Sequence, residues 1–125
     1  MENDYQEPTY DTEIGDIKID DEVIAVCAAN ATLSTTGVHA LAGGVSNQIS
    51  KTILRKDIVS KGIKVTREDE VLVLDVFIIV KFGFRIPDVA FNLQKNISGK
   101  IREMTDMEVS AVNVHVQGVD IEEEE

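Results

Sequence analysis

Any chemistry in this chain would have to come from few groups: His39 and His115, Cys27, the hydroxyl run Ser34-Thr35-Thr36, and 23 carboxylates. Neither histidine has a second ligand at HxxxH or HExxH spacing, so no metal site is implied. Cys27 stands on the apolar side of an expected helix, which suits a small core residue better than a nucleophile. As the only cysteine it can form neither an intrachain disulfide nor a multi-cysteine zinc site. No GxSxG elbow accompanies the hydroxyl run. The carboxylates of Glu68-Asp69-Glu70 and Glu122 to Glu125 fall in a turn and a frayed end, where nothing holds two of them at a catalytic separation. Glu103, Asp106 and Glu108 flank Met104 and Met107 and read as solvating a helix-to-strand connection. The eight glycines never stand three apart, so the GxxG clamp of KH modules is missing, as are GxGxxG and GxxxxGK[ST]. No enzyme activity and no cofactor is expected.

What remains are residues suited to touching another macromolecule. Phe77 and Ile79 lie on the second face of a strand whose first face is continuously apolar, and are expected to meet a partner surface or a minor core under a loop. Arg85 stands at the entrance of a helix. Asn113, His115 and Gln117 alternate with valines and form either a polar contact row or a solvated strand face. These six are the candidate protein-interaction residues.

The elements that position them follow from periodicity. IGDIKID, residues 14–20, alternates as a short strand. Asp20 or Asp21 can then cap a helix in which Val23, Ile24, Cys27, Ala28, Ala31 and Ser34 share one side. Gly37 ends it, VHALA follows as a short strand or extended link, and Gly43-Gly44 marks a turn. Val45, Ile49, Ile53, Leu54 and Ile58 are spaced as the apolar stripe of a helix over 46–58. The stretch from Gly62 to Gly83 predicts a hairpin of 63–67 and 71–82 around the acidic turn Glu68-Asp69-Glu70, with Leu72, Leu74, Val76, Ile78, Val80 and Phe82 on one face. Ile86, Val89, Ala90, Leu93, Ile97, Ile101 and Met104 then mark a helix opened by Pro87, and Val112, Val114 and Val116 mark a last strand. The expected fold is α+β: a single small two-layer domain, a mixed sheet with a central hairpin and helices packed on one face.

The chain has 125 residues, a formal net charge of -11 and a sequence pI near 4.5, which disfavours phosphate backbones and anionic lipid. That charge is unevenly placed. Residues 1–22 hold nine acidic groups against Lys18 alone, and the last six residues add five more, leaving 23–119 at +2. Within that body Lys51, Arg55, Lys56, Lys61, Lys64 and Arg67 oppose only Asp57. Residues 1–13 therefore read as a disordered acidic arm, 14–119 as the folded domain and 120–125 as an acidic tail. The longest apolar run, Val23 to Ala29, is too short to span a bilayer and no secretion signal opens the chain, so no direct membrane insertion is expected. With two Tyr, four Phe and no Trp, base stacking is thinly supported and nucleic acid is not an expected partner.

The stretch KFGFRIPDVAFNLQKNISGKIREMTDMEVSAVNVHVQGV, residues 81–119, resembles the alkaline-shock or envelope-stress response protein family of Gram-positive bacteria. Phe82-Gly83, Arg85-Ile86-Pro87, Val89-Ala90, Met104-Thr105 and Val112 through Val119 stand where the family pattern has YG.RIP.VA, MTG and VNVHVQGV. GDIKIDDEVI, TGVHALAGG and SKGIKV match further upstream. Asp106 replaces the glycine that commonly follows Met-Thr, and Phe82 replaces the common tyrosine. The resemblance implies a non-enzymatic structural or adaptor protein of cell-envelope homeostasis or stress response. It further implies a cytoplasmic location, peripheral to the membrane through a partner, and homo-oligomerisation. A small membrane-anchoring protein is the implied partner; regulatory binding to a metabolic enzyme is the alternative.

Overall fold

The computed structural model describes residues 14–43, 62–68 and 71–121. The expected arm 1–13, the helix expected over 46–58, the basic residues 51–61, the turn residues 69–70 and the last four glutamates lie outside them. The elements in chain order are α1 (Asp21–Leu33), β1 (Val38–Leu41), β2 (Ile63–Glu68), β3 (Val71–Lys81), α2 (Ile86–Thr105) and β4 (Val109–Asp120). This is a small α+β domain with a mixed sheet and its helices on one face.

Strand β3 organises the sheet. Along one edge it pairs in parallel with β4 from Leu72↔Val109 to Lys81↔Asp120, the two strands joined by α2 as a crossover. Along the other edge it pairs antiparallel with both remaining strands: Ile63–Glu68 lie against Val76–Val71, and Val38–Leu41 against Val80–Ile78. β1 and β2 are thus two halves of one interrupted edge strand. The break falls at Phe77, whose N–H donates to Gly62 O at 2.9 Å while its carbonyl accepts from Ala42 N at 2.7 Å.

Alternation along β3 sends Leu72, Leu74, Val76, Ile78 and Val80 into the core, all fully buried or nearly so. Helix α2 meets them with Val89, Leu93, Ile97, Ile101 and Thr105, an unbroken i, i+4 row. Ile24, Cys27, Ala28 and Ala31 of α1 complete the cluster. Ala25 and Ala29 of α1 are buried as well, since side chains this small let the helix sink close against its neighbours. Thr32, Thr35 and Thr105 are buried too, and their hydroxyls return hydrogen bonds to the carbonyls of Ala28, Ala31 and Ile101, so none of these three hydroxyls is stranded.

Several boundaries differ from the periodic reading. Residues 16–20 form no strand: Arg67 donates to Ile19 O at 2.7 Å and to Asp21 Oδ1 at 2.6 Å, and this side-chain anchor holds the segment where a ladder was expected. Val23 and Ser34 face solvent; Ser34 is the C-cap of α1. Phe82 lies one residue beyond β3, in the turn, and is 69% exposed instead of continuing the buried face. Ile86 and Met104, at the two ends of α2, overhang the core and are exposed. Asp106, where the family pattern carries glycine, caps α2 at φ 68°, the left-handed region that glycine enters freely and aspartate tolerates.

Candidate functional site

With α1 and α2 on one side, the sheet's other face carries the odd-numbered residues of β3 and the side chains in register with them. Val73, Asp75, Phe77 and Ile79 run along its centre, each half-buried. Parallel register sets Asn113 of β4 opposite Asp75 and His115 opposite Phe77, while antiparallel register sets Lys64 of β2 opposite Asp75 from the other edge.

Asp75 is the hub. Asn113 Nδ2 donates to its Oδ1 at 3.1 Å, and His115 Nε2 lies 3.0 Å from the same oxygen. The His115 ring also stacks on Phe77, centroids 4.3 Å apart and planes inclined by 13°. The His115 contact chiefly, then Asn113 and the charge of Lys64, holds the Asp75 carboxyl below the ordinary aspartate range, against an opposing push from partial burial. A folded-state pKa depressed in this way stabilises the fold above the unfolded value, and the contribution is lost as pH falls through the folded one. Replacing Asp75 by Asn should therefore cost about 1 kcal/mol at pH 5. Urea melts of the two proteins should converge only as the pH is taken below the ordinary aspartate range, through the lowered folded-state value, where wild-type Asp75 is itself protonated.

Further along, Ile79 lies over Gly118, at which a Cβ would come 3.1 Å from Ile79 Cδ1. At the end of the face His39 Nδ1 stands 3.5 Å from Asp120 Oδ2, bridging the outer strands past β3.

Of the six residues singled out from sequence, the structure brings Phe77, Asn113 and His115 into one cluster and places Ile79 on the same face beside it. Gln117 falls out of the row. β4 carries a bulge there, with Val116 opposite Ile78 and Gly118 opposite Ile79, so Gln117 is the extra residue with no register partner on β3. Arg85 stands apart as N-cap residue of α2, its Nε donating to Asp88 Oδ2 at 3.2 Å. The sequence reading missed the Asp75 hub and the His39–Asp120 pair, because each joins residues that only the parallel crossover brings together. The isolated acid at Asp75, flanked by apolar residues in a strand, was the one available signal. Cys27 is a core residue whose thiol pKa is raised by burial.

Among the described residues no group of three or more His, Cys, Asp or Glu could hold a metal ion, and no helix is long and apolar enough to cross a membrane. Among the described residues, the sheet face away from α1 and α2 is apolar along its middle and carries an interstrand polar cluster. The model of the alkaline shock protein 23 family, described by a cell envelope-related function, matches residues 9–121, and the chain belongs to that family. It is 37% identical over 111 residues to the uncharacterized protein YloU of Bacillus subtilis (strain 168), spanning 86% of this chain and 91% of YloU. It is 32% identical over 107 residues to the uncharacterized protein Spy1535 of Streptococcus pyogenes serotype M6, spanning 85% of this chain and 80% of that one. The uncharacterized protein YqhY of Bacillus subtilis (strain 168) is also 32% identical, over 109 residues that make up 87% of this chain and 80% of YqhY. No solved structure matches the chain.

Proposed function

We propose that this protein is a non-enzymatic structural or adaptor component of cell-envelope homeostasis or stress response, and that it works by self-association and partner binding through the face of its sheet opposite α1 and α2. The observation that carries this is the row Val73, Phe77 and Ile79, half-buried on a face over which neither α1 nor α2 lies. Apolar strands covered on one side only are stabilised further when a second surface removes them from water, and an aromatic at the centre is the usual anchor of such a contact. Family membership supplies the envelope setting. A small membrane-anchoring protein is the partner that would bring the domain to the membrane.

Phe77→Glu tests the assignment, because it places a charge at the middle of the row while leaving the opposite, core-facing residues of β3 untouched. Sedimentation equilibrium should show the oligomer of the parent chain reduced to monomer at the same concentration, with an unchanged far-UV spectrum. A folded variant that keeps the parent's oligomer mass would remove self-association from this face. Crosslinking in cells that captures neither a second copy nor a protein partner would overturn the adaptor reading as a whole.

A further inference from the structure

Helix α1 departs from the pattern that α2 keeps. A helix on the surface of a small domain ordinarily turns charged residues outward, and one that is apolar all round is ordinarily covered on every side. After Asp21 and Glu22, α1 carries no charged residue through Leu33. Ile24, Ala28 and Ala31 enter the core, while Val23, Val26, Asn30 and Leu33 lie on the opposite side of the helix and are exposed, the three apolar ones by 47%, 40% and 54%. These four recur at spacings of three, four and three, the narrow seam along which one helix packs on another, with asparagine as its single polar member. Met104 of α2, 60% exposed, flanks the seam, and its Sδ accepts from Cys27 Sγ at 3.9 Å. The two ends of the seam differ in charge. Asp20, Asp21 and Glu22 stand at its start. At its far end α2 runs antiparallel beside α1, Asn96 Nδ2 donating to Thr35 Oγ1 at 2.9 Å, and Ser34 borders a groove in which Lys95 and Lys100 outweigh Glu103.

We propose that the outer side of α1 is a contact for a second copy of this chain, the two α1 helices packing antiparallel across a two-fold axis. Such a pairing sets Val23 against the copy's Leu33 and Val26 against the copy's Asn30, so every layer of the seam holds an aliphatic side chain. Charge selects the direction. Antiparallel packing brings Glu22 beside the copy's Ser34, next to Lys100, and two-fold symmetry repeats that match at the other end. Parallel packing would instead bring the two acidic ends together and align the helix dipoles unfavourably. Asn30 costs the seam some stability and restricts its register. From Val23 to Leu33 the seam is about 15 Å long, so the contact belongs to the small, weak class and is populated at about 1 mM chain, not at micromolar concentration. It lies on the helical layer, away from the sheet face opposite α1 and α2, and does not rest on association through that face.

The test uses the full chain carrying Phe77→Glu, in which the sheet face is charged. Sedimentation equilibrium should show its average mass rising from monomer toward dimer as the concentration is raised to about 1 mM. Val26→Glu, a change at an exposed position, should hold that protein at monomer throughout with an unchanged far-UV spectrum. At about 0.01 M salt, where charges are little screened, Glu22→Lys or Lys100→Glu alone should weaken dimerisation several-fold, and the two together should restore it. A mass fixed at monomer up to about 1 mM would overturn the proposal and leave the seam to a different protein. A dimer that survives Val26→Glu, or a charge exchange that restores nothing, would overturn it as well. The two surfaces fail separately: a Phe77→Glu protein that keeps the parent's mass at low concentration counts against the sheet face alone, and the loss of mass on adding Val26→Glu still decides for α1.

Discussion

Ile97→Ala is expected to be among the most damaging single substitutions in the described fold, lowering unfolding free energy by about 2–5 kcal/mol. Ile97 has no solvent exposure and sits at the middle of the α2 row, with Leu93 and Ile101 one turn to either side and the β3 core residues beneath. Removing three carbons there forfeits their transfer free energy and opens a cavity that a close-packed neighbourhood closes only in part. For a domain of typical stability, about 5–15 kcal/mol, this is a large share, and the melting temperature should fall by about 10 °C or more. Phe91→Ala is the matched control: the residue is on the same helix, larger, but 57% exposed, and should change stability by about 0.5 kcal/mol or less. Denaturant melts with unchanged slope and separated midpoints would bear this out. Equal midpoints for the two variants would mean that α2 does not bury the face described.

The same helix shows how far sequence carried the fold. The 3.6-residue stripe of α2 and the two-residue alternation of β3 are signals that burial enforces, so both elements and their inward faces were legible from the chain alone. The ends of those stripes were not. Phe82, Ile86 and Met104 continue the period but overhang the layer, because periodicity reports which way a residue points and not whether anything lies above it. Short-range alternation misread residues 16–20 for a related reason: Ile17 and Ile19 have the spacing of a strand, but Arg67 takes the Ile19 carbonyl from 48 positions away. The candidate site was half legible. Phe77, Ile79, Asn113 and His115 stood out as contact residues, while their meeting at Asp75 depends on a parallel register across the α2 crossover that no local pattern encodes. The bulge at Gln117 did leave a trace in the sequence: the valine–polar alternation breaks at Gly118, and a glycine inside a strand often marks a bulge.

Gly62→Ala carries the other large expected effect, and its cause is the interrupted edge strand. Gly62 holds φ at +95°, and a Cβ there would stand 2.8 Å from the Ala42 carbonyl oxygen and 3.1 Å from Leu41 Cβ. The first of these is backbone, which cannot swing aside as a flexible side chain would. Gly83 supplies the comparison, with φ at +101° but nothing within 4 Å of its added Cβ. Gly83→Ala should therefore cost only the strain of a left-handed alanine, about 1–2 kcal/mol, and Gly62→Ala that strain plus the displacement of Ala42, about 2–4 kcal/mol in all. The excess has a definite location. Ala42 and Phe77 exchange the 2.7 Å bond that joins β1 to β3, and the Phe77 amide takes the 2.9 Å bond to Gly62, so both amides should lose hydrogen-exchange protection in Gly62→Ala. Amides of the β3–β4 ladder should keep theirs, because that edge of β3 is paired independently. If Gly62→Ala and Gly83→Ala cost the same, β1 and β2 do not meet as tightly at Phe77 as the structure has them. The centre of the open face would then rest on β4 alone.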